Sequence, residues 1–125
     1  MELVLDIKGT KYTFKAGFKF MRKADKRDSI KDSNGKEVYM GLTYLIAQIM
    51  DENIDALHDA LLLMNEGQTP KLTADVLESY LEDEADIDEL FKEVLDFFEK
   101  SNCTKKTVRK LKEEIEKERA KNQNQ

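Results

Sequence analysis

Apolar and polar positions alternate at the start of the chain. Leu3, Leu5 and Ile7 interleave with Glu2, Val4 and Asp6, and after Lys8-Gly9 the alternation resumes with Tyr12 and Phe14 between lysines and threonines. A period of two predicts strands, and a turn at Lys8-Gly9 sets Ile7 opposite Thr10, Leu5 opposite Tyr12 and Leu3 opposite Phe14. One face of this hairpin, residues 2–15, is therefore apolar. Because an isolated hairpin is marginal in water, that face has to lie on helices.

After Gly17 the period becomes helical. In FKFMRKADKR, Phe18, Met21 and Asp25 follow one line and Phe20, Ala24 and Arg27 another, which predicts a short amphipathic helix with a basic outer side. SIKDSNGKEVYMG contains Asn34-Gly35, a hairpin signal with weak flanks, so a second small hairpin and a flexible loop fit equally. Leu42, Leu45, Ile46, Ile49 and Met50 then recur at helical spacing. Asn53 is placed to cap the next helix, with Ile54, Leu57, Leu61 and Met64 on one face and Gly67 as its stop. Pro70 lies in a loop. Beyond it, Thr73 caps a helix with stripe Val76, Leu77, Tyr80 and Leu81, stapled by Leu72 against Leu77. Asp86 and Glu89 form a capping box for a helix whose face is Ile87, Leu90, Phe91, Val94, Leu95 and Phe98. Phe97 is expected off that face, as a tolerated surface aromatic or as part of a contact patch.

The last helical stretch, SNCTKKTVRKLKEEIEKERAKNQNQ, has only Val108, Leu111 and Ile115 as large apolar residues, spaced as in a coiled-coil seam. Thr104 is its expected N-cap, with Cys103 and Val108 as a staple. Lys110 with Glu114 and Glu113 with Lys117 add about 0.2–0.5 kcal/mol each. Lys105 and Lys106 oppose the helix dipole, so the helix needs a neighbour. Either it docks on its own domain through that seam, or the seam contacts another molecule.

The whole pattern predicts an α+β domain, mainly helical, with the N-terminal hairpin packed on a bundle of about five or six helices. A single domain over 1–121, with helices from 17 to 121 and a disordered tail at 122–125, is the expected organisation of these 125 residues. No internal repeat indicates a solenoid. The start, MELVLDIKGTKY, is neither a secretory nor a membrane-spanning segment, and the expectation is a soluble intracellular protein with no membrane partner.

Charge is segregated. Residues 1–40 hold 10 basic and 6 acidic side chains, 41–100 hold 3 and 16, and 101–125 hold 8 and 4, giving net values of +4, −13 and +4. An acidic chain is poorly suited to neutralising phosphates, so no nucleic acid is expected, even though Lys19 to Arg27 and Lys105 to Lys112 are basic. Opposite patches in one chain suit head-to-tail contact between copies, or simply solvate helix faces.

Candidate chemistry is sparse. His58 is the only histidine and Cys103 the only cysteine, which removes two-imidazole sites and intrachain disulfides. No GxSxG, Walker or Rossmann glycine pattern occurs. The run Glu82 to Glu89 lacks the spacing and the sixth-position glycine of an EF-hand, and DSNGK at Asp32 has the glycine without the rest. No metal, cofactor or catalysis is expected. Methionines 21, 40, 50 and 64 fall near apolar faces, where they fill core or suit a surface that accepts varied apolar partners.

The order MELVLDIKGTKYTFKAGFKFMRKADKR, MGLTYLIAQIMDENIDALHDAL and IDELFKEVLDFFEKSNCTKKTVRKLKEEIEKE resembles the tail assembly chaperones of long-tailed siphoviruses infecting Gram-positive bacteria. FKAGFKF and SNCTKK carry most of the likeness, which runs to about Glu118. The loop DSNGKEVYM and the segment LLLMNEGQTPKL depart from it. The resemblance implies a protein of the infected host's cytoplasm, absent from the mature virion. Such a protein binds the tape measure protein, keeps it soluble and aids tail tube assembly, with the major tail protein as a further partner. Such chaperones are often made in two lengths by translational frameshifting. Phe97, Val108, Leu111 and Ile115 are the candidate partner-binding or self-association residues. A head–tail connector or tail terminator subunit of the virion is the alternative.

Overall fold

The computed structural model describes residues 1–123. In chain order the elements are β1 (Leu3–Ile7), β2 (Thr10–Phe14), α1 (Phe18–Asp25), β3 (Ser29–Lys31), β4 (Glu37–Tyr39), α2 (Gly41–Met50), α3 (Ile54–Asn65), α4 (Ala74–Asp83), α5 (Ile87–Lys100) and α6 (Lys105–Gln123). The fold is α+β and mainly helical.

β1 and β2 pair antiparallel in the expected register, Leu3 with Phe14, Leu5 with Tyr12 and Ile7 with Thr10. Lys8 and Gly9 both take positive φ, 55° and 84°, the primed geometry that matches strand twist. Asp6 Oδ1 accepts the Gly9 N–H at 2.9 Å and pins the turn. Ile7 and Phe14 are fully buried on the helices. Between α1 and α2, β3 and β4 form a second, separate hairpin in which Ile30 faces Val38. Of the two sequence expectations there, the hairpin is what forms, with Asp32 Oδ1 accepting from the Asn34 and Lys36 amides at 2.9 Å.

α1 and α2 meet at their ends. A Cβ at Gly41 would stand 1.9 Å from the Ala24 carbonyl oxygen, so only glycine allows that approach. Asp25 Oδ1 accepts the Leu42 N–H at 3.2 Å, so α2 is capped from the preceding helix and not by its own N-cap residue. Of the four local caps read from sequence, three are present: Asn53 accepts from Ala56 at 3.0 Å, Thr73 from Val76 at 3.3 Å and Asp86 from Glu89 at 3.2 Å.

The core gathers Ile7, Phe14, Phe20, Ile46, Leu57, Leu61, Leu77, Val94 and Phe98 from every layer. Phe20 and Phe98 stack with centroids 5.6 Å apart. Buried Asn65 ties three segments: its Nδ2 donates to the Thr13 and Pro70 carbonyls at 3.0 and 3.2 Å, and its Oδ1 accepts the Leu72 N–H at 2.7 Å.

Several expectations are corrected. Ile54 is 46% exposed, because as the first residue of α3 it lies before the buried arc of Ala56, Leu57, Ala60, Leu61 and Met64. Phe97 is 7% exposed and belongs to the core. α5 is packed by both α2 and α6, so its buried sector is wider than the single stripe read from spacing. Of the expected disordered tail at 122–125, residues 122 and 123 belong to α6 and 124–125 lie outside the described residues.

Candidate interaction surfaces

The junction SNCTKK sets how α6 leaves the domain. Ser101 Oγ donates to the Phe97 carbonyl at 2.8 Å, and the fully buried Thr104 hydroxyl donates to the Phe98 carbonyl at 2.6 Å. Thr104 therefore closes the end of α5, whose last carbonyls have no helical partner, in place of the N-capping bond expected for α6. Val108 follows at 1% exposure, Leu111 is half-buried against the core, and Ile115 is 40% exposed. The seam thus runs from core to solvent along one helix. α6 spans about 28 Å, and from Lys112 to Asn122 it is exposed, fastened to α5 by Lys112 on Glu99.

Where α6 diverges from α2 an open groove of about 370 Å³ forms. Ala47, Met50, Leu111 and Ile115 give it an apolar floor, and Asp51, Glu114, Glu118 and Arg119 line its rim. Such a surface accepts an apolar helix face with charged flanks. Of the sequence-derived candidates, Leu111 and Ile115 reach this groove, whereas Val108 and Phe97 are seated in the core behind it. Met50 is expected from sequence on the apolar face of α2, as core filling or as an adaptable partner surface, and Ala47 does not stand out by spacing. Their place in the groove depends on the angle at which α6 departs, and local spacing carries no signal for that.

Two further surfaces are chemically distinct. At the start of α1, Phe18 is 61% exposed and the Arg22 guanidinium lies 5.1 Å from its ring centroid. Between β1, α4 and the first turns of α5 lies a cleft of about 280 Å³, floored by Val4, Leu5, Tyr80 and Leu90 and edged by Asp6, Asp86, Glu89 and Glu93. The Tyr80 phenol is pushed up by its burial and then by the charges of Glu93, Asp6, Glu84 and Asp86, which reports a negative potential there.

His58 joins α3 to α4. Its Nδ1 lies 2.9 Å from Asp59 and its Nε2 2.9 Å from Glu78, while Asp59 also takes Arg27, in the turn after α1, at 2.6 Å. Burial pulls the His58 pKa down, but the hydrogen bonds and charges of Asp59 and Glu78 outweigh it and hold the imidazole above its ordinary value. Burial likewise raises Asp59, yet His58 and Arg27 together hold it below the ordinary carboxylate value. This is an ion-pair bridge between helices. Cys103 is a half-buried free thiol. Among the described residues no group of three or more His, Cys, Asp or Glu could hold a metal, and no helix is long and apolar enough to cross a membrane.

A family model described as phage tail assembly chaperone protein, TAC, matches residues 4–113, from β1 into the first half of α6. No curated protein and no solved structure matches the chain.

Proposed function

The chain belongs to the phage tail assembly chaperone family, and on that premise we propose that it binds the tape measure protein of its phage and keeps it soluble while the tail tube is built around it. The observation that carries this reading is the groove between α2 and α6, where Ile115 stands 40% exposed beside Met50 and Leu111. A long helical client presents apolar faces that aggregate when free, and an open groove with a methionine in its floor can cover successive faces of differing shape. Val108 and Phe97 serve the site from behind by anchoring α6.

Several copies act together along one client, by head-to-tail contact. Each contact is weak, and repetition supplies the avidity. The work is done in the cytoplasm of the infected host, the tube protein is the second partner, and the chaperone leaves before the virion is complete. No reaction is assigned to it.

Co-expression with the tape measure protein tests the reading. The wild-type chain is expected to bring the client into the soluble fraction and co-purify with it, and a chain carrying Leu111→Ser and Ile115→Ser to fold but fail at both. Equal client solubility with and without the chaperone would sink the proposal. Mass spectrometry of purified particles should find no copies, whereas a connector or terminator subunit would be present.

A further inference from the structure

Among the described residues β1 has β2 on one side and no strand on the other. The two-residue turn makes Ile7 with Thr10, Leu5 with Tyr12 and Leu3 with Phe14 the hydrogen-bonded pairs, so the residues between them, Val4 and Asp6, turn their backbone N–H and C=O groups to the outer edge. No backbone group among the described residues reaches them there. The acidic cleft opens along this edge and not over a face of the hairpin, because Val4 and Asp6 of the exposed face and Leu5 of the core face all line it, and no residue of β2 does.

A strand edge in this state is a template for another strand. Native edges are commonly blunted by lysine, proline or a bulge, yet Leu3–Ile7 holds no lysine or proline and pairs with β2 without interruption. The floor is apolar, with Val4 52% exposed beside Tyr80 and Leu90, and the cleft's volume of about 280 Å³ leaves room for side chains. The rim selects the occupant. Asp6, Asp86, Glu89 and Glu93 form no ion pair among the described residues. A second copy's β1 laid along the edge would bring its own Asp6 and acidic rim against these carboxylates, and like charges placed opposite each other across strands are destabilising. A basic segment meets the same rim with opposite charge.

We propose that the outer edge of β1 docks an extended segment of another protein, one that alternates apolar residues with lysine or arginine and adds to the hairpin as a third strand. The outward N–H and C=O groups of Val4 and Asp6 supply the ladder bonds. Apolar side chains of the segment lie on the Tyr80 and Leu90 floor, and its basic side chains meet Glu89 and Glu93. The ladder gives affinity, while the floor and the charges give specificity. This site is separate from the groove between α2 and α6 and does not depend on what that groove binds. One copy can therefore hold a helical segment in the groove and an extended basic one on β1. Raising salt from about 0.05 to 0.5 M is expected to weaken the second and spare its ladder bonds, because exposed charges are screened over a few ångströms at high ionic strength.

Fluorescence anisotropy of a labelled Lys-Val-Lys-Val-Lys-Val peptide, titrated with the full chain at low salt, tests the site. Wild type is expected to bind it, and to bind weakly or not at all the same peptide with glutamate for lysine or with alternate backbone nitrogens methylated. Val4→Pro removes one outward N–H and no bond of the β1–β2 ladder, so the chain should fold and bind the probe about fivefold or more weakly. A chain carrying Glu89→Lys and Glu93→Lys, both exposed, should lose about tenfold or more. Unchanged circular dichroism checks the fold of each. The chain with Leu111→Ser and Ile115→Ser is expected to bind the probe like wild type, and loss there would assign the peptide to the groove and overturn the proposal. No binding by wild type, or equal binding of the methylated or acidic peptide, would overturn it too. Sedimentation velocity of Val4→Pro should match wild type. Assemblies lost with that variant would put a second copy on the edge, against the proposal.

Discussion

Phe20 of α1 and Phe98 of α5 stack with centroids 5.6 Å apart and planes at 18°, and the carbonyl of the same Phe98 accepts the buried Thr104 hydroxyl at 2.6 Å. The residue that locks the first helix to the fifth therefore also sets where the sixth begins. Phe98→Ala is expected to cost about 3–5 kcal/mol, from lost burial and the cavity left behind, plus the pair's own 0.5–1.5 kcal/mol or so. Urea denaturation measures it. Thr104→Val keeps the volume but removes the donor, and is expected to cost about 1–3 kcal/mol.

Asn65 is 2% exposed and satisfies one buried amide and two carbonyls from β2 and the loop after α3. Removing it leaves all three without their partner. Asn65→Leu is expected to destabilise the fold by about 2–4 kcal/mol despite added apolar volume, since each orphaned buried group costs about 1–3 kcal/mol with partial relief by water. Hydrogen exchange at the Leu72 amide should rise with it.

The imidazole bridge predicts a pH dependence. His58 has a folded pKa above its ordinary 6.5, so its contribution is fully present below about pH 6.5 and is lost as pH rises through the raised value. Asp59 has the opposite sign: its contribution is present above 3.8 and is lost as pH falls through its lowered folded value. Thermal melts of wild type and His58→Gln should converge as pH rises past that window and separate at about pH 6. Equal separation at pH 6 and pH 9 would remove the ion-pair account of His58.

α6 predicts a split along one stripe. Val108 is 1% exposed and Ile115 is 40% exposed. Val108→Ser is expected to cost about 2 kcal/mol or more through lost burial and a buried hydroxyl. Ile115→Ser should lie within about 0.5 kcal/mol of wild type, as surface substitutions usually do. Melting temperatures check the contrast, and a large loss at Ile115 would place it in the core of the folded protein.

Much of the fold was legible from local pattern. The register of β1 and β2 follows from a period of two and a turn at Lys8-Gly9, and the caps at Asn53, Thr73 and Asp86 are bonds to an amide three residues on. The candidate site was half legible. Val108, Leu111 and Ile115 stood out by spacing, but whether each faces core or solvent depends on how α6 diverges from α2. Phe97 was misplaced because helical spacing shows one stripe, and α5 has two neighbours. Glu78 on His58 and Asp25 on the start of α2 are bonds across 20 and 17 residues, invisible to any window of one helix.

By itself the sequence determined the class of fold, the hairpin register, most helix ends, the segregation of charge and, through likeness, the family. Each of these depends on interactions within a few residues or on composition, and so survives in any reading of the linear chain. The tertiary structure alone decided that Phe97 is core, that Gly41 admits the Ala24 carbonyl, and that Ile115 shares a groove with Met50. Those outcomes depend on the angles at which helices pack, which many distant side chains settle together and no short segment encodes.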